Sequence, residues 1–515
     1  MKKILLINPG HEAKADFNRH TSYREVHRDV PPLAVLYLAS YLIEHNYDVH
    51  IIDTHIEDDY LGSIKEHLDH NDYLYIGISV IIGKFLKNAN ELTQFIKSLK
   101  PNLPIVWGGI MASNSPEEIL TEYGTDYVAR FDGEEIVLGL AKVLEKKKQI
   151  GSVNGLSYVK DGKIVHNKPN IPYQDLDKYP IAKWDILGKH FNKRQIPYYY
   201  SIMTSRGCIY NCSFCYKHSV DADIREEMPV WRFRSAEHII KELSYIHKKT
   251  GTTVFTFGDD NFFVNKKRVI EVLENCKKLG FYIEECIGHI NNLDDNLIDA
   301  MGGVVQTFMF SVESASPRLQ KFINKKVAVD KVAGKVEKLH KNGIVVKINF
   351  IVGLPTEKRQ DLRTTAEFMM NIKSVSPFAK GIAYLYFPLP KTNLYREVEK
   401  IYSIKLPSRI RDYEDANFWV RSAEDFNSKK FRPWISDEDF SLLVLYAMVF
   451  NDVFDMCNLE LKKETKKILE NNSDIRELFK GIEHINHPKE LYQPYVLDKV
   501  LKGEKIDLLN GLRGR

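Results

Sequence analysis

Cysteine is scarce in this chain and unevenly placed. Six cysteines occur in 515 residues, and residues 1 to 207 contain none. So low a number excludes a disulfide-stapled secreted domain and is typical of a protein kept in a reducing compartment. The opening run is apolar but ends at Asn8-Pro9-Gly10, which is too short for the core of a signal peptide. We therefore expect a cytoplasmic protein.

Long apolar runs and a strong net charge are missing too. No stretch approaches the ~18 uninterrupted apolar residues that predict a membrane-spanning helix, so we expect no stable membrane insertion. The 73 Lys and Arg are dispersed among 69 Asp and Glu, and the formal net charge of +4 gives no electrostatic footprint for nucleic acid. With 44% hydrophobic residues over 515 positions, the chain can fold into two or three domains.

Three of the six cysteines stand together. Cys208, Cys212 and Cys215 have C-x3-C-x2-C spacing and follow an apolar, aromatic run, residues 198–203, that predicts a buried strand. Three thiolates on one short loop favour an iron–sulfur cluster. With no fourth cysteine nearby, a [4Fe–4S] cluster would keep one iron open for a substrate or cofactor. The alternative is structural zinc, which takes four ligands, with His218 as the nearest fourth candidate.

The first 145 residues alternate short apolar runs with segments of helical periodicity. This alternation predicts a parallel, doubly wound sheet, which binds ligands at the carboxyl ends of its strands. The predicted strands are residues 3–8, 49–53, 73–80 and 104–107, and the predicted helices are residues 33–45, 88–99 and 116–122. The loops at the strand ends are Asn8-Pro9-Gly10, the turn after Val80, Gly108-Gly109 and Asp132-Gly133-Glu134. The residues alone indicate a ligand-binding α/β domain.

A hairpin and a connector follow this domain. Residues 153–165 alternate around Asp161-Gly162, which is typical of a type I′ hairpin. Residues 173–180 then indicate an extended connector that reaches Trp184. This segment most simply bridges two domains.

Strands and helices alternate again from residue 196 to about 400. Counting the strand before the cysteines, six β-α units predict a partial barrel with its chemistry at the carboxyl ends of the strands. The other predicted strands are residues 253–257, 281–286, 307–312, 345–352 and 381–387. The strand ends carry Asp259, Asp260, Glu313 and Gly353. A competing interpretation of the acids is helix capping, since Asp and Asn are good N-caps, and Asn261 is interpreted in that way.

The last hundred residues are helical by periodicity. The predicted helices are residues 436–454, 459–471 and 495–502. The remaining cysteines, Cys276, Cys286 and Cys457, have no partner at ligand spacing, so we interpret them as packing or surface residues.

The cysteine loop, with Phe214 just before its third cysteine, resembles the signature of radical S-adenosylmethionine (SAM) enzymes. The first domain is similar to the cobalamin-binding domain fused ahead of many of them, through Pro31-Pro32-Leu33, Gly108-Gly109 and Gly133-Glu134. The resemblance covers residues 1 to about 400. It implies a Rossmann-like cobalamin-binding domain (1–145), a linker with a hairpin (146–195), a partial (β/α)6 radical SAM barrel (196–400) and a helical substrate-capping region (401–515).

The resemblance also implies which residues contact the cofactors, and it leaves the catalytic residues unknown. Cys208, Cys212 and Cys215 would bind the [4Fe–4S] cluster, whose open iron chelates the methionine part of SAM. The implied SAM contacts are Phe214, Gly258, Asp259, Asp260, Glu313, Ser314 and Gly353. The implied cobalamin contacts are Pro31, Ser79, Gly108, Gly109, Gly133 and Glu134. Residues 387–392 resemble a last-strand Pro-Gly-Thr motif in which Lys391 replaces glycine.

One departure concerns the lower cobalt ligand. Many B12 proteins carry Asp-x-His-x-x-Gly after the first strand, whereas Asp53-Thr54-His55 follows the second strand here and has Asp58 in place of the glycine. We interpret His55 as an ordinary loop residue, and His11 is a weaker candidate still. Many relatives lack this motif too, so the lower axial ligand stays undetermined.

The function implied by the resemblance is methylation of an unactivated carbon of a small-molecule or peptide substrate. A deoxyadenosyl radical would remove a hydrogen, methylcobalamin would supply the methyl group, and an electron donor such as flavodoxin or ferredoxin would reduce the cluster. The Gly108-Gly109 edge should then face the barrel mouth. One alternative is a cyclase or ring-rearranging enzyme with the same cofactors, and another is a non-catalytic cobalamin or redox sensor. A methylthiotransferase is excluded because it needs a second cysteine cluster upstream.

Overall fold

Two large sheets organise the chain, one in each of two units. The computed structural model describes residues 1–10, 31–57, 59–171, 173, 175–188, 200–218, 230–414, 431–455 and 463–480. Unit 1 contains residues 1–201, 219–234 and 407–416, and unit 2 contains residues 202–218, 235–406 and 417–515. The third predicted C-terminal helix, residues 495–502, and the candidates His11 and Cys457 lie outside the described residues.

The sheet of unit 1 has seven strands in the order β2-β1-β3-β4-β5-β6-β7. The first five are parallel, and the last two add antiparallel. Because β1 lies between β2 and β3, the strand order reverses there, which opens a crevice at the carboxyl ends. The hairpin expected in the linker is therefore part of this sheet. The strands are β1 (Lys3–Asn8), β2 (Asp48–Asp53), β3 (Tyr73–Ser79), β4 (Ile105–Gly108), β5 (Tyr127–Ala129), β6 (Leu156–Lys160) and β7 (Lys163–His166).

Six described α-helices accompany this sheet. They are α1 (Leu33–Glu44), α2 (Tyr60–His70), α3 (Lys84–Leu99), α4 (Ile110–Asn114), α5 (Pro116–Glu122) and α6 (Glu134–Leu144). Helix α1 begins after Pro32 and buries seven of its twelve residues, which is why its apolar pattern was readable. Helix α2 was not predicted, because it buries only Ile64 and Leu68. Asp59 caps it by accepting a hydrogen bond from the Gly62 N–H.

The sheet of unit 2 has six strands in the order β15-β14-β13-β12-β11-β8, and the pairs from β11 to β15 are parallel. The predicted α/β fold class, with its six-stranded partial barrel, is confirmed. The strands from here on are β8 (Ser201–Ile202), β9 (Ser205–Gly207), β10 (Trp231–Phe233, in unit 1), β11 (Val254–Phe257), β12 (Tyr282–Ile287), β13 (Val305–Glu313), β14 (Val345–Val352) and β15 (Lys380–Leu385).

The helices of unit 2 alternate with these strands and then continue as the C-terminal region. Those of the barrel are α7 (Ala236–Thr250), α8 (Lys266–Leu279), α9 (Asp295–Met301), α10 (Pro317–Phe322), α11 (Val329–Lys341), α12 (Arg359–Val375) and α13 (Asn393–Tyr402). The C-terminal ones are α14 (Asp437–Val453), α15 (Lys463–Asn471) and α16 (Ser473–Leu478). In the described part of the chain, none of the helices has the length and apolar character needed to cross a membrane.

The two faces of the second sheet differ in burial. Along β14, the residues that pack on the helices are buried, and Phe350 contacts Phe368 of α12 and Phe450 of α14. The alternate residues on the other face, such as Asn349, are only partly buried. On that face the Lys347 ammonium pairs with the Glu285 carboxylate at 2.5 Å. This face is therefore polar and is not closed by packing, which leaves it available to a ligand.

The free edge of β15 is closed by a helix. The Ala383 N–H donates to the Asn451 side-chain oxygen at 2.6 Å, and the Asn451 amide donates back to the Ala383 carbonyl at 3.1 Å. The Gly381 N–H donates to the Phe454 carbonyl at 2.9 Å. Helix α14 thus occupies the position at which a further strand would pair.

Candidate active site

The three-cysteine loop follows β9 and turns on Gly207, whose φ of +90° only glycine adopts without strain. Cys212 is buried with 8% exposure, and Cys208 and Cys215 are partly buried. The Cys215 N–H donates to the Cys212 carbonyl at 3.1 Å, which closes a tight turn between the last two cysteines. Ser213, inside that turn, donates its N–H to the Ile323 carbonyl at 3.0 Å. The loop is therefore folded onto the chain that follows α10.

Burial makes two of these thiols, Cys212 and Cys215, hard to ionise without a partner. It raises the pKa of Cys212 to about 11 and raises the pKa of Cys215 as well. A metal ligand must be the thiolate, so the loop needs positive charge to hold three of them. Bound iron supplies such charge.

Asp259 braces the strand that enters the cysteine loop. Its carboxylate has no exposure and accepts hydrogen bonds from the Thr204 N–H at 3.2 Å, the Thr204 hydroxyl at 3.0 Å and the Ser205 hydroxyl at 2.5 Å. Burial raises its pKa, and the Arg268 charge and these hydrogen bonds oppose that rise. Arg268 also donates to the Thr204 carbonyl at 2.9 Å. Both side chains thus hold the loop in place from within the protein.

The neighbours of Asp259 lie closer to solvent. The Asp260 side chain is 25% exposed and forms an ion pair with Lys217, two residues after the last cysteine. The Gly258 N–H donates to the Ile202 carbonyl at 2.9 Å, which continues the pairing of β11 and β8. The two adjacent acids therefore have different contacts. Asp259 holds the chain before the cysteines, and Asp260 pairs with the chain after them.

Glu313 ends β13 in an unusual backbone conformation. Its φ is +67°, and the register with β14 shifts between Ser311 and Glu313. Such irregularities re-aim a side chain at the end of a strand and cluster at functional sites. The buried Glu313 carboxylate accepts a hydrogen bond from the Lys325 ammonium at 3.1 Å. Ser314, fully buried, accepts a hydrogen bond from the Ser316 N–H at 3.3 Å.

Gly353 ends β14 and has a φ of +76°. Its N–H donates to the Glu357 carboxylate at 2.5 Å, and burial raises the pKa of Glu357 to about 8. Sequence reasoning missed Glu357, although an acid four residues after a glycine that ends a strand was a readable signal. Phe214 packs against the apolar cluster that includes Leu354 and Tyr386. The structure therefore brings the predicted SAM contacts of unit 2 to one end of its sheet.

In unit 1 the strand ends carry small residues, and two neighbouring glycines play different parts. A Cβ on Gly109 would lie 2.7 Å from the Val80 carbonyl oxygen, and its φ is +98°. Among the described residues, a Cβ on Gly108 would meet Ala129 at 3.8 Å, which is an ordinary contact distance. Gly109 is therefore required by packing inside the domain, whereas the described packing would tolerate a side chain at Gly108. Ser79 ends the neighbouring strand β3 and is partly buried.

The remaining predicted cobalamin contacts lie around α1 and α6. Gly133 precedes α6, and a Cβ there would lie 3.0 Å from the Leu38 side chain. Glu134 and Pro31 are buried. The loop before α6 is held by Asp132, which accepts two hydrogen bonds from the Arg232 guanidinium at 2.6 and 3.0 Å.

The histidine considered as a cobalt ligand lies at the same end of the sheet. His55 is exposed after β2, its N–H donates to the Asp53 carboxylate at 3.2 Å, and its ring lies 5.6 Å from Phe85. The Gly10 N–H donates to the Thr54 hydroxyl at 2.6 Å, which joins the first two strand ends. The interpretation of His55 as an ordinary loop residue stays a prediction.

The residues present fit the two cofactors expected. Three thiols on one braced loop match the donor set of a cluster whose cysteines bind separate irons. Among the described residues, no three His, Cys, Asp or Glu side chains converge as the ligands of a single metal ion would. In unit 1, the crevice where the strand order reverses, with glycines at the end of β4, suits a large flat ligand. The other cysteines, Cys276 and Cys286, are buried and apart from the loop.

The fold combines a parallel sheet whose strand order reverses with a partial barrel that carries three cysteines at its strand ends, and a family model matches each part. The Radical SAM superfamily model matches residues 202–369, and the B12 binding domain model matches residues 20–141. The chain therefore combines a B12 binding domain with a Radical SAM domain and is an enzyme that uses the cofactors of both.

Relatives cover most of the chain. An uncharacterized methyltransferase of Pyrococcus horikoshii is 29% identical over 91% of this chain and 98% of its own length. The anaerobic magnesium-protoporphyrin IX monomethyl ester cyclase of Rubrivivax gelatinosus is 25% identical over 81% of this chain and 72% of its own. Among solved structures, the cobalamin-dependent SAM radical enzyme OxsB, with aqua-cobalamin and SAM bound, has a TM-score of 0.65 at 19% identity and covers 99% of this chain and 78% of its own.

Proposed function

We propose that this enzyme transfers a methyl group from methylcobalamin to an unactivated carbon of its substrate. The observation that carries the proposal is the combination, in one chain, of a three-cysteine barrel and a B12-binding sheet. The Pyrococcus horikoshii methyltransferase, which matches nearly end to end, supports methyl transfer. When bound, the cofactors supply two groups. One is a deoxyadenosyl radical, which removes a substrate hydrogen, and the other is a methyl group carried on cobalamin.

The chain's own residues hold these groups and orient them. In this proposal Cys208, Cys212 and Cys215 hold the cluster, and the polar, partly buried face of the second sheet holds SAM. Asp259 acts from behind the loop, since its carboxylate is buried and its hydrogen bonds are made to Thr204 and Ser205. The residues proposed to contact SAM are Phe214, Gly258, Asp260, Glu313, Ser314 and Gly353, with Asp259 in the supporting part just described.

Unit 1 holds cobalamin in this proposal. Gly108 presents no side chain at the end of β4, and Gly109 keeps the adjacent turn close to Val80. Pro31, Ser79, Gly133 and Glu134 complete the proposed set. We place the protein in the cytoplasm with flavodoxin or ferredoxin as its reductant, because its few cysteines are typical of a reducing compartment.

The second candidate keeps both cofactors but closes or rearranges a ring without methyl transfer. The cyclase of Rubrivivax gelatinosus, which aligns over 81% of this chain, favours it. The two candidates differ in what SAM becomes. A methyltransferase converts part of its SAM to S-adenosylhomocysteine while it remethylates cobalamin, and a cyclase forms 5′-deoxyadenosine alone.

The test does not require the substrate. The full chain is reconstituted anaerobically with iron, sulfide and cobalamin, reduced, and given SAM with a trideuterated methyl group. We expect labelled methylcobalamin and S-adenosylhomocysteine, with Cys212→Ala as a matched variant that still takes up cobalamin but forms no 5′-deoxyadenosine. Formation of 5′-deoxyadenosine with no methylcobalamin would favour the cyclase. Candidate substrates are then screened by mass spectrometry for the label.

A further inference from the structure

The segment after α10, residues 323–326, is fastened to the cysteine loop. The Ile323 carbonyl accepts the Ser213 N–H at 3.0 Å, and the Asn324 side-chain amide donates to the Asn211 carbonyl at 2.6 Å. Asn324 has a φ of +52°, which turns the chain sharply there. These bonds fix the backbone of the segment relative to the loop and so fix the base of the next side chain, Lys325.

The side chain of Lys325 is buried against this loop. Lys325 is 8% exposed, and its ammonium donates to the Glu313 carboxylate at 3.1 Å. Its carbonyl is 3.3 Å from the His289 ring nitrogen, and that ring stacks on Tyr210 of the cysteine loop with centroids 3.7 Å apart. Burial, followed by the Lys325 charge, lowers the pKa of His289 to about 4, so this histidine is neutral at pH 7.

The Lys325 charge acts on all three cysteines. It lowers the pKa of Cys212 and Cys215, against the larger effect of burial. Burial lowers the pKa of Lys325, but the Glu313 carboxylate, together with Cys212 and Cys208 in their thiolate form, outweighs that effect and raises it. Lys217 also acts on Cys215 and Cys208, but its side chain is 41% exposed and pairs with Asp260. Lys325 is therefore a buried cation whose charge acts on all three cysteines.

We propose that Lys325 is a positioning residue that keeps a buried positive charge beside the cluster and thereby raises the cluster's midpoint potential. The inference rests on the cluster site of the proposed function. Reduction adds one electron to the cluster, supplied by flavodoxin, ferredoxin or a chemical reductant, and breaks no bond. A nearby cation stabilises the added negative charge, and the potential of such clusters follows the net charge around them. Burial keeps solvent from screening that charge.

The experiment is a potentiometric titration of the reconstituted full chain, without SAM, followed by electron paramagnetic resonance of the reduced cluster. In Lys325→Met, which keeps the length of the side chain, we expect the equilibrium for reduction to fall at least tenfold, which is 59 mV for a one-electron couple. Lys325→Arg should stay within twofold of the natural chain. The matched control is Lys326→Met, because Lys326 is the adjacent, exposed lysine.

A second variant tests the same charge from the other side. Glu313→Gln removes the negative partner and should shift the equilibrium toward the reduced cluster, opposite to Lys325→Met. The Glu313→Gln measurement still tests the inference if the Lys325→Met variant takes up no cluster. An unchanged potential in Lys325→Met, or an unchanged or lower potential in Glu313→Gln, would overturn the inference. A natural chain that takes up no cluster would instead defeat the proposed function itself.

Discussion

The carboxyl ends of the two sheets are built by opposite means. In unit 1 this region, which we call the glycine edge, consists of Gly10, Gly108, Gly109 and Gly133. In unit 2 the corresponding acid edge consists of Asp259, Asp260, Glu313 and Glu357, each paired with a donor inside that unit. A flat, bulky ligand needs side chains to be absent, whereas a charged cluster and a sulfonium need charges held in place. The difference indicates what each edge is built to bind.

The largest expected effect is a loss of SAM cleavage, the function of the acid edge, with no change in cobalamin binding at the glycine edge. Cys212→Ala removes the most buried cluster ligand, so the chain should lose its 5′-deoxyadenosine formation entirely. Cobalamin uptake, followed by its visible absorbance, should stay unchanged because the proposed contacts lie in unit 1. If the variant kept cleaving SAM, the cluster assignment would be wrong. If the natural chain bound cobalamin but never cleaved SAM, the protein would be a sensor.

A single methyl group should break the glycine edge. Gly109→Ala places a Cβ 2.7 Å from the Val80 oxygen at a φ of +98°, so we expect a loss of about 1–3 kcal/mol in the free energy of unfolding. Gly108→Ala, its matched control, should cost at most about 0.5 kcal/mol. The same Gly108→Ala change should weaken cobalamin binding, since it adds a methyl group at a proposed cobalamin contact. Urea unfolding and cobalamin titration measure the two effects, and equal stability losses would contradict this assignment.

The acid edge should be sensitive to an isosteric change. Asp259→Asn replaces an acceptor with a donor among three hydrogen-bond donors from Thr204 and Ser205, so we expect a loss of about 1–3 kcal/mol. Asp260→Asn removes a partly exposed ion pair with Lys217 and should cost about 1 kcal/mol or less. Thermal unfolding of the two variants in parallel makes the comparison. A larger loss for Asp260→Asn would show that the brace lies elsewhere.

The smallest effect is a pH dependence at the acid edge. Burial raises the pKa of Glu357 from its ordinary value of 4.5 to about 8, so the folded chain binds a proton that the unfolded chain has released. This contribution to stability is fully present below pH 4.5 and is lost as the pH rises to about 8. Stability should therefore fall from pH 6 to 8, and less steeply in Glu357→Gln. Parallel slopes in thermal unfolding would refute the assignment.

The sequence predicted the parts of the fold that depend on local pattern. The limits of β1, β14 and α5 match their predicted runs, because a short apolar run marks β1, alternation marks β14 and a proline start marks α5. Helix α2 escaped prediction because two buried residues do not make a readable stripe. The cysteines could be assigned to a cofactor because their spacing is itself the signal.

Partners that meet through folding could not be predicted. Lys325 follows Glu313 by twelve residues, with α10 and a sharp turn between them. Their ion pair could therefore not be predicted from a local sequence spacing. Gly109 was readable as a turn residue, but the Val80 carbonyl that excludes a side chain there comes from another strand. Asp259 was expected to face a ligand, and only the fold shows that its carboxylate points at Thr204 and Ser205. The contacts of the predicted site residues with SAM and cobalamin stay predictions.

The side-chain amide of Asn451 has a consequence beyond holding α14. An open parallel sheet would expose the outer N–H and C=O groups of β15, which are a template for pairing with a second chain. By satisfying both groups at Ala383, Asn451 acts with the Phe454 carbonyl, which accepts the Gly381 N–H, to keep a further strand from pairing at this edge. Protection of the last strand therefore depends on the end of α14, in the region most remote from the cofactors in sequence.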